Sequence, residues 1–503
     1  MPVAEARTPA VRPGTSSPAS RLACRGRLAG RLARCAVLGL AASGGALLFP
    51  EVALAHGIVG RADLPIPVWL FSWAAAIVLV VSFVALSSLW ATPRLQRERR
   101  RRLARMPALL EWAAGLVGVG LFVLVVYSGF AGAQVPNANF SVNFVYVVFW
   151  VGLPIASALF GDVFRAFSPW RACARAIGTL AGRLRSGRKT KPPLAYPAWL
   201  GVWPAVAGLV GFGWLELVYV APNRDSPALI AALSLGYFLA MLLGMLLFGV
   251  ERWSEHGDAF AVEFNLFSRL SALVVKDGVL CGRRPLSGLP GMPLRRGTVA
   301  LLCAMIGITT FDGFSNGGIW RADEPDLQNL VSGLGFHQTP ALELTYTLGL
   351  VFCVLLVAGV YRLGIAGVRS VSDRYDSDWL ERAFVHTLVP IAFAYIVAHY
   401  FSYVVWQGQT MGYLISDPLG NGANLLGTSG YRIDYRIISF AAIWYVQVTA
   451  LIAGHVGGLT LAHDRALSIY PEPEQAVRSQ YWMLAVMVAF TSFGLWLLSA
   501  VGT

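Results

Sequence analysis

The chain reads as an all-α protein, a polytopic transmembrane helical bundle of about ten spans behind an N-terminal signal segment. Three observations carry that reading. Apolar residues come in blocks of about 18 to 25, the length a helix needs to cross a hydrocarbon core of roughly 30 Å. Of the 503 residues, 56% are hydrophobic and only 13% charged, too apolar a balance for a soluble chain of this size. Of the 40 Lys and Arg, seven sit in the leader, 28 fall in segments that alternate onto one side, and five on the other. That asymmetry is the positive-inside rule, and it removes the nucleic-acid reading that a net charge of +13 invites.

The leader is Arg-bearing and acid-poor, with an apolar run from Ala36 to Phe49. Ala53 and Ala55 are small residues at the two positions a signal peptidase reads, so cleavage after Ala55 is predicted. Residues 1–55 are then a signal peptide or leader and 56–503 a single integral membrane domain. His56 becomes the mature N-terminus, outside the cytoplasm of a bacterial inner membrane. Left uncleaved, the leader would be an extra anchor with the same orientation. A free N-terminal histidine carries an amine and an imidazole on one residue and can chelate a transition metal.

The first span runs from Ile66 to Trp90 and is pinned by the arginine cluster Arg97 to Arg105. Leu109–Ala131 returns outward to the short loop Gln134–Asn143, which has no Lys or Arg, and Phe144–Gly161 leads inward. Ser168 before Pro169 reads as an N-cap and first helical position, opening a basic surface helix to about Arg185. Tyr196–Val220 exits and Pro227–Val250 re-enters. In the basic segment Glu251–Arg296, Phe260, Phe264, Phe267, Leu270 and Val274 recur at three or four residues, an amphipathic interfacial stripe. Lys276-Asp277-Gly278 then reads as a tight turn. Thr298–Phe314, Leu342–Leu363, Glu381–Tyr403, Ile437–Ala462 and Tyr481–Ala500 complete the spans. The Gly/Asn/Ser-rich loop Gln407–Arg436 has the makings of a lid. No two of the six cysteines fall together on the oxidising side, so no disulfide is expected.

Ionisable groups inside a bilayer are costly and mark candidate sites. Glu216, Asp312, Glu343 and His399 each fall within about two turns of the outer end of a span, one layer roughly 3 to 9 Å deep at 1.5 Å per residue. His56 is tethered to the same face. One or two histidines with up to three carboxylates suit a divalent transition metal, zinc or copper, that activates a water. The plainer reading is a set of interfacial acids with helix-end partners. A deeper group holds His386, His455 and His463, with Glu111 near in depth. His386 and His455 suggest a structural pair or a proton or ion path; a second histidine pair, which a two-haem bundle needs, is absent. His463 reads as solvated, and His256 and His337 as surface. No P-loop, dinucleotide fingerprint, HExxH or GxSxG elbow is present.

Ala55-His56-Gly57-Ile58-Val59-Gly60-Arg61, then Asp63-Leu64-Pro65-Ile66-Pro67 with Trp69-Leu70-Phe71, resemble the opening of polytopic bacterial membrane proteins labelled fenitrothion hydrolase. Gly161-Asp162-Val163, Pro169-Trp170-Arg171, Tyr196-Pro197-Ala198-Trp199, Gly257-Asp258-Ala259-Phe260, Phe311-Asp312-Gly313 and His463-Asp464-Arg465-Ala466-Leu467 are similar to that family too. The resemblance spans about His56 to the end. It implies hydrolysis of an apolar organophosphorus triester, an aryl phosphorothioate that partitions into the bilayer. On that expectation a metal is held by His56, His399 and Asp312, and Asp312, Glu216 and Glu343 serve the water nucleophile. The competing class is a permease or a copper- or metal-handling membrane protein, in which the same groups line a path or capture metal.

Overall fold

The computed structural model describes residues 68–184, 191–220, 224–372 and 374–500. The leader, the cleavage site and His56 lie outside the described residues. The chain is 72% helical, and each of the ten predicted spans contains helix. Among the described residues, eight helices are long and apolar enough to cross a membrane.

The long helices are α1 (Val68–Leu89), α2 (Ala108–Ala131) and α3 (Phe140–Phe160), then α4 (Pro169–Leu184), α5 (Trp203–Leu217), α6 (Pro227–Phe248) and α7 (Ala259–Ser268). The second half holds α8 (Thr298–Ser315), α9 (Gly318–Ser332), α10 (Gln338–Arg369), α11 (Leu388–Gln407), α12 (Phe440–Ile469) and α13 (Pro473–Ala500). The predicted span Tyr196–Val220 is helical only over the 15 residues of α5. Pro204 takes an early helical position there, where its missing N–H costs nothing.

α8 is the central helix. It is 78% buried inside the bundle, against 17% for α2, which faces outward along most of its length. α8 packs against α5, α10 and α11, and α11 packs in turn on α12. Two glycines allow close approaches at these crossings. A Cβ on Gly307 of α8 would lie 2.6 Å from the Val354 backbone of α10, and one on Gly454 of α12 would lie 2.7 Å from the Pro390 carbonyl of α11. Small residues at such crossings let helices meet at backbone distance inside lipid.

The arginine-rich end carries structure that the helical reading did not anticipate. Arg101–Arg105 forms β1 of a three-stranded antiparallel sheet, ordered β1-β3-β2 with β2 at Leu273–Lys276 and β3 at Val279–Gly282. The predicted turn is there: Asp277 (φ 51°) and Gly278 (φ 71°) make the two-residue loop between β2 and β3. Positive φ at both is what a tight hairpin of this kind requires, and Asp-Gly supplies it. The expected interfacial stripe is corrected. Phe260, Phe264 and Phe267 are at most 5% exposed and form part of the main core, because α7 packs on α3 and α5 rather than lying on the surface.

His463 and His256 are also corrected. His463 is 1% exposed, its Nδ1 facing Gln480 Oε1 at 3.2 Å and its Nε2 facing the Trp90 carbonyl at 3.0 Å. His256 is 8% exposed, with Nδ1 2.9 Å from the Arg252 carbonyl and its ring against Tyr196. His337 is exposed at the head of α10, as expected. Ser168 accepts a hydrogen bond from the Arg171 amide, as its N-cap role predicts.

Candidate functional site

Asp312 sits one turn before the end of α8, 5% exposed. A carboxylate there loses the water that would solvate it and needs donors in exchange. Among the described residues, three side chains hydrogen-bond it. His399 Nε2 is 2.8 Å from Asp312 Oδ2, the Tyr400 hydroxyl donates to the same oxygen at 2.6 Å, and Asn316 Nδ2 donates to Oδ1 at 3.4 Å. His399 and Tyr400 are consecutive on α11, and their rings stand edge to face with centroids 4.6 Å apart. Consecutive helical positions normally diverge by about 100°, so α8 must lie over the boundary between their two directions for one carboxylate to meet both.

The tautomer follows from chemistry. An ionised Asp312 can only accept, so Nε2 carries a proton and donates; in the neutral tautomer of that ring Nδ1 is the basic nitrogen. Among the described residues nothing hydrogen-bonds that Nδ1. The arrangement is an oriented base beside a carboxylate, both largely buried.

Tyr400 is held from its other side by Trp150, ring centroids 4.9 Å apart. Trp150 belongs to a π-helical stretch, Phe144–Gly152, in the middle of α3. A π-segment widens the turn by one residue and is frequent at functional sites. Here it carries Trp150 and Val151 to the wall of a small cavity that Tyr400, Thr309, Phe212 and Glu263 also line. Glu263 of α7 is 3% exposed, and its Oε2 is shut off from solvent with no hydrogen-bond partner among the described residues. Tyr400 and Glu263 were not among the predicted site residues. The Asp312–His399 pair, their shared cavity and the orphaned carboxylate oxygen mark them now.

The other predicted residues divide. Glu216, near the end of α5, is an electrostatic neighbour of Asp312, and its Oε2 too is closed off without a hydrogen bond. Glu343 is engaged elsewhere: its Oε1 accepts from the Val220 amide at 3.2 Å. One turn along, the Thr347 hydroxyl accepts from Trp214 Nε1 at 3.0 Å. These contacts tie α10 to the end of α5. In the deeper group, His455 Nδ1 donates to the Leu451 carbonyl at 2.8 Å, and no hydrogen bond joins it to His386.

The two described residues expected as metal ligands, His399 and Asp312, meet each other through Nε2 and Oδ2. Among the described residues no group of three His, Cys, Asp or Glu is arranged to hold a metal ion. His56, the third expected ligand, lies outside the described residues.

No family model matches the sequence, and no curated protein or solved structure matches it either.

Proposed function

We propose that this multi-pass membrane protein is a proton-coupled permease of a bacterial inner membrane, with its arginine-rich end in the cytoplasm and Asp312, His399 and Tyr400 as its proton-handling centre. One observation carries the reading: Asp312 is clasped by His399 and Tyr400 in the bundle interior, and Tyr400 shares a cavity with the buried carboxylate of Glu263. Chains of Asp, Glu and His inside a bundle are the usual hardware of proton relays in pumps and transporters. A proton arriving at Asp312 removes one of the acceptor sites that hold the Tyr400 hydroxyl, and releases it toward the cavity. Glu263 is the next group on that path able to take a proton, and water in the cavity is the medium the path requires.

The test is proton uptake by proteoliposomes loaded with a pH-sensitive dye. Wild type is expected to dissipate an imposed pH gradient. Asp312→Asn and His399→Ala are each expected to slow it by about 100-fold, the scale of a lost acid–base group. A wild-type rate no faster than protein-free vesicles, or variants as fast as wild type, would sink the proposal.

A second reading is supported by the sequence likeness to fenitrothion hydrolases and by the same Asp312–His399 pair. In it, His399 Nδ1 takes a proton from water as the water oxygen bonds to phosphorus, and the aryloxide leaves with the P–O bonding electrons. Asp312 steadies the imidazolium that results. Release of nitrophenol from fenitrothion by the wild-type proteoliposomes, lost in His399→Ala, decides for hydrolysis. No release decides against it.

A further inference from the structure

The strongest uncommitted feature lies at the arginine-rich end, where α1 and α12 finish. The chain after α1 turns back across the end of α12, and a pocket of about 1100 Å³, counting its open mouth, forms between them. Arg94, Arg97, Arg99 and Arg284 line it, with Gln96 and Ser468, and among the described residues no acidic one does. The one carboxylate in that run, Glu98, is turned to Arg100 and Arg283 and leaves the lining arginines unneutralised. Arg94 lies over the Trp90 ring and donates to the Leu89 carbonyl. Arg97, Arg99 and Arg284 are exposed, and among the described residues their guanidinium groups have no ion pair or hydrogen bond.

The pocket is built rather than incidental. Asp464, fully buried, accepts from the backbone amides of Arg94 and Leu95, from Gln96 Nε2 and from Trp90 Nε1. Its neighbour His463 faces the Trp90 carbonyl. This clamp fixes the 90–96 segment against α12, so that Arg94, Arg97 and Arg99 project beside Arg284, which comes from a distant part of the chain. General inside-positive charge accounts for arginines at this end. It does not account for four of them, from two segments, around one concave site without an acid.

We infer that this pocket is a binding site for the phosphate of an anionic phospholipid headgroup, held by Arg97, Arg99 and Arg284 and shaped by Asp464. Guanidinium forks match phosphate oxygens in pairs. The pocket also lies where two spans end, Leu89–Trp90 and Ile469, which is headgroup depth for a bilayer-embedded bundle. A free phosphate offers the same chemistry without the acyl chains that hold a lipid at that depth.

The test titrates the purified full-length protein, in a neutral detergent, with three probes: dioctanoyl phosphatidylglycerol, dioctanoyl phosphatidylcholine and inorganic phosphate. The readout is the dissociation constant by calorimetry. Saturable binding of phosphatidylglycerol alone is expected, weakened about tenfold or more in R97Q/R99Q/R284Q. All three side chains are exposed, so the triple variant is expected to fold, and its melting profile checks this. Asp464→Asn is expected to weaken phosphatidylglycerol binding while leaving the three arginines in place. Equal binding of both lipids, or wild-type affinity in the triple variant, would overturn the site. Inorganic phosphate competing at similar affinity would overturn the lipid as its occupant.

Discussion

At the residue scale, Asp312 governs the site because it is a carboxylate whose water has been replaced by side-chain donors. Tyr400→Phe removes one of them and leaves the ring packed against Trp150. The loss of a hydrogen bond to a charged acceptor is expected to destabilise the protein by about 1.5 to 3 kcal/mol, read as a lower midpoint in denaturant. Proton uptake should fall as well, since the link from Asp312 to the cavity is cut. A variant with wild-type stability and wild-type uptake would remove Tyr400 from the site. Asp312 and His399 were legible in the sequence because ionisable residues inside apolar spans are few and expensive. Tyr400 and Glu263 were not. A tyrosine in a span is ordinary, and Glu263 sat in a phenylalanine pattern that reads equally well as an interfacial helix.

At the element scale, several of the short motifs that stand out in the sequence are fasteners between helices. Trp170 Nε1 donates to Asp258 Oδ2 at 2.6 Å, joining α4 to the N-cap of α7. Asp162 accepts from Asn265 at 2.8 Å, and Asp464 holds the strap after α1. Only Phe311-Asp312-Gly313 lies in the candidate site. Helix crossings depend on glycine in the same way: Gly454→Leu would drive a side chain into the α11 backbone. Overpacking typically costs about 1 to 3 kcal/mol, so the variant should melt earlier than wild type, whereas Gly359→Leu, where a Cβ meets nothing, should not.

The sheet adds a pH dependence. Burial by itself would raise the Glu98 carboxyl, but hydrogen bonds and charge from Arg100 and Arg283 outweigh it and hold Glu98 below its ordinary value of 4.5. A lowered folded-state value means the ion pairs contribute fully above the ordinary glutamate range and fade as pH falls through it. Melting temperature should therefore drop more steeply below about pH 4.5 in wild type than in Glu98→Gln. Parallel curves would show that Glu98 contributes nothing.

At the scale of the whole molecule, topology is the property most open to direct measurement. With the arginine-rich end in the cytoplasm, a cysteine introduced at Arg101 should react with a membrane-impermeant maleimide only after cells are permeabilised. One at Thr428, in the loop before α12, should react in intact cells. The reverse pattern would invert the orientation. Metal dependence has an equally plain test, dialysis against a chelator: proton uptake that survives it speaks against a metal at this site. Its loss, restored by zinc or copper, would bring His56 back as a ligand.

Composition and apolar periodicity alone determined the class of protein, an all-α bundle of long apolar helices, and where along the chain those helices fall. These are local quantities: about 20 apolar residues cross a bilayer whatever their neighbours do. Depth along a span was legible too, which is how Asp312, His399, Glu216 and Glu343 came to be grouped. Depth leaves open which way a helix faces and which helix lies beside it. Those depend on rotation and packing, set by contacts hundreds of residues apart. Only the tertiary structure decided that Asp312 meets His399 and Tyr400 while Glu343 turns to Val220, that Phe264 is core, and that His463 and Asp464 are a buried clamp rather than a solvated helix end.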